Sequence, residues 1–259
     1  MLNKAILTLS IAALLFSSCA PVYSPAIYRQ DIVYQPKPTS HDTVKTANYV
    51  SAGFNAFSNS NDLQLGGQFD LSRAYTIKHF NFAFGGFGMF GDYGNTNIAK
   101  SDPNYFTDKF YGAFGGRASA DFFISKGRTD FRIIGIEAAY SHEFGSYANF
   151  RQYLNTQQPE YYVDPRINLF TVGLTSEIII NSRGNKNIQQ GFQGFLGTTL
   201  GHNELDDPNS YYSTIRATDV KATDFHNLFA RVSYFVKLRN YFGTIEVGQG
   251  VFLRLGLKF

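Results

Sequence analysis

Residues 251–259 read Val-Phe-Leu-Arg-Leu-Gly-Leu-Lys-Phe, and the alternation is strict. Val251, Leu253, Leu255, Leu257 and Phe259 fall on one face; Phe252, Arg254, Gly256 and Lys258 fall on the other. Successive side chains of a β-strand point to opposite faces, so this stretch is a strand with one apolar and one mixed face. The composition agrees: 26 Phe, 17 Tyr and 24 Gly among 259 residues favour strands over helices. A single Cys excludes a disulfide framework and any multi-Cys zinc or iron–sulfur site. A dispersed net charge of +3 leaves no footprint for nucleic acid.

Working backward from residue 251, the same period of two recurs in segments of about the length of a tilted membrane strand. The spacing predicts ten strands, near 47–57, 62–72, 77–90, 106–123, 130–143, 168–181, 191–202, 225–238, 241–248 and 250–259. Their apolar faces carry residues such as Phe54, Leu65, Phe69, Phe84, Phe114, Ile134, Ile136, Phe170, Leu196, Val232 and Ile245. Connections alternate. Short ones lie around 73–76, 125–129, 181–190 and 239–240, and long ones near 91–105, 144–167 and 203–224. Membrane barrels show this contrast between short periplasmic turns and longer external loops, with both termini periplasmic when the strand number is even. A soluble sandwich is the rival reading. It leaves the uniformly Phe, Leu, Ile and Val outward positions unexplained.

Ending a chain on such a strand with a terminal Phe resembles the C-terminal signature of bacterial outer-membrane β-barrels. The resemblance implies an all-β, antiparallel transmembrane barrel of about ten strands, porin-like in build, in a Gram-negative outer membrane. It makes Phe259 the signal read by the assembly machinery, and outer-membrane lipids the surroundings.

The N-terminus reads as an export signal: Lys4, then an apolar stretch from Ala5 to Phe16, too short to span a membrane. It runs into Leu15-Phe16-Ser17-Ser18-Cys19-Ala20, which resembles the lipobox of bacterial lipoproteins, with Phe16 where Leu is usual. That resemblance implies a covalent lipid on Cys19, the one cofactor-like group expected, anchored in the inner leaflet of the outer membrane. Cleavage beside an unmodified Cys19 is the alternative. The domain reading is a signal peptide at 1–18, a lipidated Cys and flexible periplasmic tether at 19–45, and the barrel at 46–259. Pro21, Pro25, Pro36 and Pro38 keep helix and central strand out of the tether, which could also dock in a barrel mouth.

On the inward parity lie Asp70, Arg117, Asp121, Glu137, Glu177, Arg231, Glu246 and Arg254. A mid-strand Arg on a lipid face costs about 2–4 kcal/mol, so charges confined to the other face support the assignment. Neighbouring strands pair opposite signs: Arg117 is expected near Glu137, and Glu246 between Arg231 and Arg254. Such pairs would fill a small barrel's lumen, or form a selectivity ring in a pore. In-strand glycines, Gly85-Gly86-Phe87-Gly88 included, read as barrel bends covered by aromatics rather than a phosphate loop.

Ten strands invite comparison with outer-membrane proteases, whose acidic and His residues sit at the external rim. Here the rim would hold His142-Glu143, His202 with Glu204, Asp206 and Asp207, and His226. These histidines share parity with the lipid-facing positions, and no motif matches a known barrel enzyme. Ser141-His142-Glu143 is superficially similar to lipid A deacylases, but adjacent strand residues cannot converge. No catalytic or metal site is read. Loop 203–224 carries five acids against two bases, while the turns carry seven bases (Arg73, Lys78, Lys126, Arg128, Arg183, Lys186, Arg239) against Asp130. Basic turns suit anionic lipid. Tyr105, Tyr147, Tyr153, Tyr161, Tyr162, Tyr211 and Tyr212 enrich the long loops and suit contact with a partner. The main functional reading is a non-enzymatic, lipid-tethered accessory or structural subunit of an outer-membrane protein complex. The alternative is a small channel for ions or solutes, and the third is a rim enzyme acting on lipid or peptide.

Overall fold

The computed structural model describes residues 22–58, 62–95, 100–101, 105–157, 162–183, 188–200 and 228–259. In chain order the elements are β1 (Val22–Tyr23), β2 (Thr46–Ser58), β3 (Asp62–Ile77), β4 (Phe80–Asn95), β5 (Lys109–Lys126) and β6 (Thr129–Phe144), then helix α1 (Ser146–Gln157). There follow β7 (Tyr162–Val163), β8 (Asn168–Asn181), β9 (Ile188–Leu200), β10 (Phe229–Leu238), β11 (Tyr241–Val247) and β12 (Val251–Lys258). All but β1 and β7 form one closed antiparallel barrel of ten strands, in the order β10-β11-β12-β2-β3-β4-β5-β6-β8-β9. The seam joins β12 to β2, from Val251↔Ala56 to Lys258↔Tyr49. Phe259 adds two backbone hydrogen bonds to Asn48.

The alternation fixes which side chains face out. The outer wall is a continuous belt of Phe, Leu, Ile and Val, including Phe54, Phe69, Phe84, Phe114, Ile136, Leu174, Leu196, Val232 and Leu255, all exposed. An apolar belt on a closed barrel with a polar interior is the arrangement hydrocarbon demands, since no strand edge is left unpaired. This is a transmembrane β-barrel. Outward aromatics also cover strand glycines: a Cβ on Gly88 would collide with the Phe69 ring, and one on Gly112 with Phe144.

At one mouth the strands join through the short connections 78–79, 127–128, 182–187 and 239–240. Two of these turns place Lys78 and Arg239 in the left-handed region (φ 51° and 56°), and Gly127 takes the third (φ 63°). At the other mouth lie the long connections 96–108, 145–167 and 201–228. Helix α1 packs there against β5, β6 and β7.

One strand breaks its own parity. Ile133 and Ile134 are both outward, 52% and 54% exposed, because β6 carries a bulge against β5 and β8 between Arg132 and Gly135. The extra residue turns Arg132 into the lumen, where simple alternation counted from Glu137 would place it in lipid.

The Pro-rich segment is not a free tether. Residues 23–39 are almost entirely buried, and they run through the lumen from the loop mouth to the turn mouth. Val22 pairs with Tyr162 in the second long connection, whereas Lys45 accepts a 2.8 Å hydrogen bond from the Thr76 N–H beside the first short turn. The described chain therefore starts at the loop mouth and ends, at Phe259, at the turn mouth. The N-terminal Cys19, for which a periplasmic position is expected, lies outside the described residues. Even strand number fixes where the barrel's own ends lie, but not the path of what precedes it.

Candidate functional site: a lumen filled by the chain's own strap

Residues 22–45 form a strap with three zones. Its head is apolar. Tyr23, Ile27 and Val33 cluster with Tyr93, Phe106, Tyr111, Tyr147, Leu154 and Phe252 beneath the long loops. Tyr93 and Tyr147 stack at 4.2 Å, and Tyr23 meets Phe150 edge-on at 5.7 Å. The Tyr147 hydroxyl donates to the Ser24 carbonyl at 3.0 Å. The helix is itself anchored by Arg151, which is fully buried and donates to Glu143 at 2.9 Å. The head thus plugs into a lid.

The middle zone lies where the wall is charged. A strap without strand partners must satisfy its backbone groups in another way. Pro36 and Pro38 remove two donors outright. The carbonyls are met by arginines reaching in from four sides. Arg231 donates to the Arg29 carbonyl at 2.8 Å, Arg117 to that of Asp31, and Arg254 to that of Tyr34 at 2.6 Å. Arg132 donates to the Pro38 carbonyl at 3.2 Å. Each guanidinium has donors to spare for a wall carboxylate. Arg254 binds Glu246 at 2.6 Å and Asp70 at 3.3 Å, Arg132 binds Glu177 at 2.6 Å, and Arg117 binds Asp70. The strap returns the contacts: the Tyr34 N–H donates to Glu246 at 2.8 Å and its hydroxyl to Glu177 at 2.9 Å. Lys37 lies 2.6 Å from Asp121 and 3.8 Å from Glu137.

The foot is a latch at the turn mouth. Lys237 donates to Asp42 at 2.9 Å, and Lys258 lies 3.5 Å from the same carboxylate. Burial alone would raise the Asp42 carboxyl, but Lys237, the Thr39 amide and Lys258 outweigh it and hold it below the usual carboxylate range. The Ser40 N–H donates to Asp130 at 2.7 Å, and Gln189 donates to Thr39 at 3.0 Å. Little space is left beside the strap: the cavity flanked by Tyr34, Pro36, Asp70 and Arg254 holds about 10 Å³, room for about one water. Below the latch the mouth widens into a vestibule of about 480 Å³ lined by Asp42, Lys237, Arg239 and Lys258.

The inward charges named from parity, Asp70, Arg117, Asp121, Glu137, Glu177, Arg231, Glu246 and Arg254, all project into this lumen. Glu246 sits between Arg254 (2.6 Å) and Arg231 (3.9 Å). Arg117 does not reach Glu137. Register sets it opposite Ala139 and turns it toward Asp70, while Glu137 instead takes Lys37 and a 2.9 Å hydrogen bond from Gln193. Sequence reasoning missed several participants, Tyr34, Asp42 and Lys237 among them. Arg132 is hidden by the bulge, and Asp31 and Lys37 belong to a segment with no period. Lys37 in a Pro-rich stretch, against a wall with carboxylates to spare, was the available signal.

At the rim, His142 faces outward and is 2.8 Å from Asn168, while Glu143 faces inward to Arg151. They do not converge. Among the described residues no three His, Cys, Asp or Glu side chains gather as a metal site. Cys19, His202, Glu204, Asp206, Asp207 and His226 lie outside the described residues, as does loop 203–224.

Fold and lumen together define a class: a small transmembrane β-barrel occluded by its own N-terminal segment. No family model and no curated protein matches the sequence. Among solved structures a KdgM porin aligns over 83% of this chain and 98% of that one, at 9% identity and a TM-score of 0.28. The fold assignment rests on the strand pairing instead.

Proposed function

We propose that the protein is a small outer-membrane channel held shut by its own strap. One observation carries the reading: the lumen is filled by a separable segment rather than by wall side chains meeting each other. In a purely structural small barrel, inward side chains suffice to fill the interior. Here the wall arginines donate to carbonyls of a peptide whose only described covalent link to the barrel is through Lys45 into β2. Withdrawing it would uncover a wall of Gln64, Gln68, Asp70, Arg117, Glu177 and Arg254, polar enough to hold water and pass ions.

Planar-bilayer conductance tests this. The full-length protein should be silent or open rarely, and a variant lacking 22–42 should conduct steadily. A truncated barrel that still shows heat-dependent gel mobility but carries no current would sink the channel reading.

The accessory-subunit reading has its own support. Helix α1 packs at the loop mouth against β5, β6 and β7 and exposes Tyr153, 59% accessible, a residue type favoured in protein contacts. In that case a stoichiometric partner would co-purify in mild detergent. Both readings set the barrel in the outer membrane, delivered by the assembly machinery through Phe259, and neither asks for catalysis.

A further inference from the structure

The direction of the strap has a consequence for which side of the membrane the N-terminus occupies. From Thr46 backward the chain passes the latch (Asp42 with Lys237 and Lys258) at the turn mouth. It then passes the charged wall at Lys37, Tyr34 and Asp31. It leaves the barrel at Val22–Tyr23, paired in parallel with Tyr162–Val163 of the second long connection. The Asp164 N–H donates to the Tyr23 carbonyl at 3.0 Å, fastening the exit. In membrane barrels the short turns face the periplasm and the long loops face outward. The exit is therefore on the outer side.

We infer that this barrel is threaded by its own chain, so that whatever precedes Val22 is presented at the outer surface of the membrane. Cys19 precedes Val22 by three residues, a reach of at most about 11 Å at full extension. The hydrocarbon core is about 30 Å thick, and the lumen that would carry a return path is occupied. Acyl chains on Cys19 would then sit in the outer leaflet rather than the inner one, and the protein would be held at both faces. The inference is independent of channel function, since a threaded barrel presents its N-terminus outward whether or not the strap ever moves.

The test uses the full chain in intact cells. An epitope inserted after Pro21 should be labelled by antibody without permeabilisation, while the same epitope in the 182–187 turn should be labelled only after it. Because an insertion could itself hinder threading, a second variant carries Val22→Cys and Tyr162→Cys, backbone partners in register. Oxidation should cross-link this pair and shift the protein's gel mobility reversibly with reductant. An N-terminal epitope reached only after permeabilisation, together with a Cys pair that does not cross-link, would overturn the inference.

Discussion

Four arginines and one aspartate explain most of how the lumen is held. Arg117, Arg132, Arg231 and Arg254 each bridge a carboxylate on the wall and a carbonyl on the strap, a division that suits the forked guanidinium and not a lysine. Buried ions of this kind are weak evidence for stability as such, but losing one partner leaves a charge stranded out of water. Asp42 has the opposite position, at the mouth and outside the strands. Its carboxyl titrates below its unfolded value of about 3.9 because Lys237 and Lys258 face it. Its contribution to holding the foot is therefore complete above that value and is lost as pH falls through the lowered one. The latch should hold at neutral pH and release only as pH falls below the usual carboxylate range, and Asp42→Asn should mimic the acid state at pH 7. Limited proteolysis within 39–45 reads this directly: faster cleavage in the variant is expected, and cleavage no faster than in the parent would refute the latch.

At the scale of elements, the barrel was legible and the strap was not. The ten strands follow from alternation because each must offer apolar side chains to lipid and polar ones to the lumen, a demand written into every second residue. The strand predicted over 168–181 has those bounds. Other ends shift by a few residues where polar rim positions continue the ladder, as from Leu71 on to Ile77 in β3. Parity fails in β6 ahead of its bulge, where Asp130 and Arg132 turn inward and Phe131 and Ile133 outward, since a bulge changes the count by one without any mark in composition. The strap escaped for a different reason. Its partners are backbone carbonyls, which no side-chain pattern encodes, and its prolines signal only what it cannot be. Deleting Ile133 should remove the bulge and restore simple alternation with Arg132 still facing the lumen, whereas Arg132→Leu should strand Glu177. The expected cost is at least about 3 kcal/mol, the range for stripping one partner from a buried ion pair. The urea midpoint of the refolded Arg132→Leu barrel should drop accordingly, and an unchanged midpoint would refute the pair's role.

For the whole molecule, closure is the property most easily checked. A sealed barrel with an internal strap should resist dodecyl sulfate until heated, so unboiled and boiled samples should differ in gel mobility; identical mobility would count against a closed barrel. Closure also constrains how the molecule comes into being. The strap runs from mouth to mouth and continues without interruption into β2, and β2 is one side of the seam that β12 completes. With room for about one water beside Tyr34 and Pro36, the strap can hardly be threaded through a finished cylinder carrying an acylated or bulky end. Biogenesis therefore has an order built into its topology. The strap, which precedes the strands, is laid down as a mandrel, the hairpins wrap around it, and β12 fastens the wall against β2.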